Sequence, residues 1–165
     1  CPIAPDPSQY MSVTPMPMAG KWVGINVVND ATAFPLLVPW CKEALDRGYG
    51  LLGLVTIAHK TADGLNGHTA LATLGDMIGH EIVDVRGEWY DMSLGPREIA
   101  GLTQNCERVL AMRKHGGLVA KRVGAYPVLA DWYADHGRPW RLQSLREVIG
   151  GEYWDLHVGE VPKWQ

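Results

Sequence analysis

The stretch LLGLVTIAHKTADGLNGHTALATLGDMIGHEIVDVR, residues 51–86, decides how this chain is read. Leu51–Ala58 is apolar and rich in β-branched residues, the signature of a buried strand. Asp63-Gly64 and Asn66-Gly67 are turn dipeptides. His68–Leu74 alternates between two faces and reads as a second strand. Gly75-Asp76 makes a turn, and Ile78–Arg86 reads as a third strand. Strand, turn, strand, turn, strand is an antiparallel meander.

A hairpin turning near Gly75 pairs residues symmetric about it. His68 and His80 then fall on adjacent strands, both imidazoles facing one site. Downstream, Arg97–Lys114 has a helix-forming composition after Pro96. Ile99, Leu102, Cys106, Val109 and Leu110 recur at helical spacing, which puts Cys106 on a helix face. A cysteine near a helix N-terminus beside an imidazole becomes a thiolate nucleophile. The same His protonates a leaving group. Taken singly, a lone helix Cys is usually a small buried hydrophobe. The expectation of a site rests on the three residues together. They would also supply three zinc ligands, but no fourth is evident and no CxxC pair exists. No cofactor is expected. His59, His115, His136 and His157 are read as ordinary residues.

Outward from this centre, residues 1–20 carry Pro2, Pro5, Pro7, Pro15 and Pro17 and read as a flexible or extended arm. Residues 21–165 read as one domain. Lys21–Val28 is a strand, and Asn29 and Asp30 offer caps. Pro35 and Pro39 leave Trp40–Arg47 as the secure part of the next helix. Leu118 to about Ala134 reads as a helix broken at Pro127, and Leu142–Ile149 as a short helix.

The chain has 165 residues, 47% hydrophobic and 20% charged, and a net charge of −3. This suits one domain with a real core and gives no bulk attraction to nucleic acid. Arg108, Arg113, Lys114, Lys121 and Arg122 read as a solvated helix face. Three widely spaced cysteines, Cys1, Cys41 and Cys106, argue against a disulfide framework and for a reducing compartment. No run reaches transmembrane length.

The run His68 to Asp76, continuing to His80, resembles the H-box of the lecithin–retinol acyltransferase and phospholipase/acyltransferase families. Leu102-Thr103-Gln104-Asn105-Cys106-Glu107 resembles their Asn-Cys-Glu signature. That resemblance implies an α+β domain of permuted papain-like (NlpC-type) fold, a small antiparallel sheet packed on helices. Cys106 would be the nucleophile, His68 the base and His80 the orienting residue, with acyl groups carried as a thioester. The short interval from His80 to Cys106 is most similar to the H-box/NC version of the picornavirus 2A protein. Gln165 fits release by a viral protease. This resemblance implies a non-structural protein that supports RNA replication and does not cleave itself. It also implies host or viral replication partners in the host-cell cytoplasm, at replication membranes or another lipid surface. An arm or strand exchanged between protomers would give a homodimer.

Overall fold

A computed structural model describes residues 13–56, 66–89, 92–132, 140–158 and 160–164. The expected Asp63-Gly64 turn, the end of the expected Leu51–Ala58 strand, residues 1–12 of the arm, His59 and His136 lie outside them.

The class is mixed helix and strand, as expected, but the sheet is not antiparallel. Strands β1 (Trp22–Asn26), β2 (Gly50–Gly53), β3 (Cys106–Ala111), β4 (Tyr126–Asp131) and β5 (Glu152–Asp155) form one sheet in the order β2-β1-β3-β4-β5. Every pairing is parallel. Parallel neighbours need crossovers, and helices supply them. Helix α1 (Phe34–Asp46) joins β1 to β2. Helices α2 (Gly67–Ile78) and α3 (Pro96–Thr103) lie between β2 and β3. Helix α4 (Lys114–Val123) joins β3 to β4, and α5 (Trp140–Ile149) joins β4 to β5. Strands covered on both faces lose the polar/apolar alternation and read as continuous apolar runs. That is how Val109-Leu110-Ala111-Met112 passes for part of a helix in the sequence.

The strand residues divide between two cores. Val23, Ile25, Leu51, Leu110 and Val128 pack with Phe34, Leu37 and Trp40 of α1 and Leu71, Leu74 and Ile78 of α2. Leu52, Val109, Ala111 and Leu129 pack on the other face with Ile99 and Leu102 of α3, Ala120 of α4 and Leu142 and Leu145 of α5. Each such large apolar side chain contributes about 1.5–3 kcal/mol on burial. Helix α1 accommodates Pro39 in its interior and Pro35 at its start, so it is longer than the prolines suggest.

The expected strand His68–Leu74 is the first half of α2. Asn66 is its N-cap, accepting from the Thr69 amide at 2.9 Å, and Gly79 closes it in the left-handed conformation at φ 78. Leu71, Leu74 and Ile78 supply the helical spacing that the alternating Thr and Ala residues disguise. Of the expected third strand, Val83 alone forms a bridge, parallel to Leu52 at the sheet edge. Leu118–Ala134 divides at Gly124 into α4 and β4, with Pro127 paired to Val109 inside the sheet.

Part of the proline-rich arm is held down. The Thr14 amide donates to the Arg97 carbonyl at 3.2 Å. Asn105 accepts from the Met18 amide at 2.9 Å and donates to the Met16 carbonyl at 2.6 Å. Gly101 of α3 lies directly beneath Thr14, where any Cβ would overlap the Thr14 carbonyl. Asn105, expected as part of a nucleophile motif, is the clamp for this segment.

Candidate functional site

His68 is the second residue of α2, beyond the carboxyl end of β2, and is 5% exposed. An imidazole on the apolar face of a helix needs polar partners on both nitrogens. It has them. Nδ1 lies 2.7 Å and 2.9 Å from the two carboxylate oxygens of Asp84. Nε2 lies 2.7 Å from the Ser93 hydroxyl oxygen.

The Asp84 carboxylate fixes one proton position. A carboxylate only accepts, so Nδ1 carries the hydrogen and donates it to Asp84. Nε2 of the neutral ring then accepts from the Ser93 O–H. Asp84 follows Val83, whose bridge to Leu52 anchors it beside β2. Its Oδ2 also receives Arg86 Nη2 at 3.2 Å. Ser93, 3% exposed, follows Met92, which holds a left-handed backbone at φ 59. The turn is tied by the Gly87 amide on the Met92 carbonyl and the Trp89 amide on the Ser93 carbonyl. A hydroxyl, a base within hydrogen-bond reach and a carboxylate orienting that base are the parts of a nucleophile-activating relay.

The structure does not assemble the expected Cys106, His68 and His80 set. Cys106 opens strand β3 rather than lying on a helix, and its sulfur packs by Gly24 among apolar side chains. Burial pushes its thiol up to about 12, the opposite of activation. Both His68 nitrogens are already engaged by Asp84 and Ser93. His80 is exposed just past the end of α2, and its Nδ1 lies 2.8 Å from the Glu81 carbonyl. With α2 a helix, His68 in its first turn and His80 past its Gly79 cap stand at opposite ends of it, about 15 Å separating His68 from Ile78 along the axis. The element types are exchanged relative to the H-box/NC expectation: the histidine is on the helix and the cysteine on the strand.

Sequence reasoning passed over Asp84 and Ser93 because neither sits in a recognisable motif. The signal available was His68 itself, a polar residue in register with Leu71, Leu74 and Ile78. The basic residues do not form one face either. Arg108 lies over the rings of Tyr126 and Trp164 at 5.1 Å and 5.0 Å, while Arg113 and Lys114 begin α4 and Lys121 and Arg122 end it. Among the described residues no cluster of His, Cys, Asp and Glu could hold a metal ion, and no helix is long and apolar enough to cross a membrane.

No family model, curated protein or solved structure matches the chain.

Proposed function

We propose that this chain is a serine-type acyl hydrolase or acyltransferase, with Ser93 as nucleophile, His68 as general base and Asp84 as the orienting carboxylate. The observation that carries the reading is the continuous relay Ser93–His68–Asp84, with hydrogen bonds of 2.7 Å on both sides of the ring. The chemistry is the acyl transfer expected from the sequence, moved from Cys106 to Ser93.

His68 Nε2 takes the Ser93 proton as Oγ attacks a carbonyl carbon. The imidazolium then gives that proton to the leaving group, and the acyl group stays on Ser93. Water or an acceptor alcohol attacks the ester, losing its proton to Nε2, which passes it to Ser93 Oγ as the acyl–Oγ bond breaks. Asp84 keeps Nδ1 protonated and balances the transient imidazolium. Ser93 is 3% exposed, so entry of a substrate requires movement of the residues around it.

The viral replication role and its host partners rest on the sequence resemblance alone. The test is labelling by a fluorophosphonate, which reacts with activated serines. A single adduct on Ser93, absent from folded Ser93→Ala, is expected. Equal labelling of that variant, or no labelling of the wild-type protein, disproves the assignment.

A further inference from the structure

The sheet order makes β1 and β3 neighbours whose onward connections run to opposite faces of the sheet. Crevices outside the carboxyl ends of such a strand pair are where doubly wound sheets bind ligands. Here Asn26 ends β1, and α4 begins just after β3. Asn26 is 1% exposed. Its Nδ2 donates to the Leu54 carbonyl at 2.7 Å and the Thr56 hydroxyl at 3.1 Å, which fixes the amide orientation. Its Oδ1 is buried with no hydrogen-bond partner among the described residues. That oxygen is aimed at the first turn of α4, where a Cβ on Gly116 would overlap it.

The same turn presents backbone donors. Arg113, the N-cap of α4, makes no side-chain cap hydrogen bond, and the first amides of a helix have no intrahelical acceptor. They form a positive end suited to an anion.

We propose that the first turn of α4 and Asn26 bind a phosphate group that carries a hydroxyl donor. The helix amides would hold the anionic oxygens. Asn26 Oδ1, an acceptor fixed by its own amide hydrogens, demands a ligand O–H. Phosphate keeps a proton at neutral pH and sulfate does not, so the site discriminates between two anions of like shape and charge. The O–H comes either from the phosphate itself or from a hydroxyl on a phosphate monoester. This site uses none of the residues of the Ser93 relay.

The experiment titrates inorganic phosphate, sulfate and glycerol 1-phosphate into the full chain at neutral pH and matched ionic strength, reading the amide resonances of residues 114–117. Saturable shifts are expected, with phosphate binding about tenfold tighter than sulfate. Tighter binding of glycerol 1-phosphate than of phosphate identifies a monoester as the ligand, and the reverse identifies free phosphate. Lys114→Pro tests the helix end. Proline is tolerated at a first helical position, and Arg113 before it is already extended at φ −116 and ψ 144. This variant should fold normally and bind phosphate about tenfold more weakly. Equal binding of sulfate and phosphate, absence of saturable shifts, or an unchanged affinity in folded Lys114→Pro overturns the proposal.

Discussion

Nε2 of His68 lies 2.7 Å from the hydroxyl oxygen of Ser93, and that bond joins the first turn of α2 to the turn behind Met92. It links the fold to the chemistry. The helix buries the imidazole, burial requires partners on both nitrogens, and the partners supplied are those of an acyl-transfer relay.

Asp84→Asn tests the relay without changing its shape. An Asn side chain can donate to Nδ1, which would leave the hydrogen on Nε2 and deprive Ser93 of its base. The rate of fluorophosphonate labelling should fall by on the order of 10³–10⁴, while the thermal midpoint changes little. Removing the half-exposed Arg86 guanidinium 3.2 Å away should change the rate only slightly, because exposed pairs contribute about 0–1 kcal/mol. A large loss of stability in Asp84→Asn with an unchanged rate would make the relay a structural clasp.

The two described cysteines define a pH window. Burial pushes both Cys41 and Cys106 up to about 12 from an ordinary value of 9.0. Between those values the folded state holds protons that the unfolded state has released, so stability falls as pH rises. The contribution is fully present below 9.0 and is lost progressively toward 12, with a slope of about 1.4 kcal/mol per pH unit for each thiol. Tyr153 acts in the same direction, because burial and its bond to Asp131 push its hydroxyl up. Alkaline melting of a Cys41→Ala, Cys106→Ala protein should show a shallower decline than the wild type. In a Cys1→Ser background, iodoacetamide should leave both buried thiols unmodified until the protein unfolds. Rapid labelling of Cys106 in the folded state would restore it as a nucleophile.

How much of this was legible depended on which residues make local signals and which make distant ones. His68 could be found, because a histidine among Leu71, Leu74 and Ile78 must do something with two ring nitrogens. Its element could not be settled from HTALATL, which alternates well enough to pass for a strand. The decisive residue was Asn66, whose side chain caps the helix although Asn66-Gly67 reads as a turn. Strand β3 was hidden because its second half, Val109–Ala111, is covered on both faces and has no two-residue alternation. Ser93 and Asp84 become partners of His68 only through the tertiary fold, 25 and 16 positions along the chain, and no short motif records such a pairing.

Gly101→Ala separates the arm from the domain. Within α3 alone, alanine should favour the helix by about 1 kcal/mol. The new methyl group, however, would overlap the Thr14 carbonyl, and a backbone atom cannot turn aside as a side-chain tip can. The segment held by Asn105 should therefore leave the surface of α3. Limited proteolysis should cut before Lys21 faster than in the wild type, while β1 to β5 keep a cooperative melt. Unchanged cleavage would show that the arm is held elsewhere.

Met92→Gly addresses the strain beside Ser93. Met92 sits at φ 59, where a side chain costs roughly 1–2 kcal/mol and glycine does not pay the steric cost. Glycine loses about 0.5–1 kcal/mol through the greater freedom of its unfolded chain. With 66% of Met92 exposed, little packing is given up, so the variant should match or exceed wild-type stability by up to about 1 kcal/mol. The hydrogen bond from the Met92 amide to the Trp89 carbonyl, 3.0 Å, should survive. The same change widens the backbone states open beside Ser93, so labelling by the fluorophosphonate should speed up. Faster melting with slower labelling would show instead that the Met92 side chain holds the Ser93 relay in place.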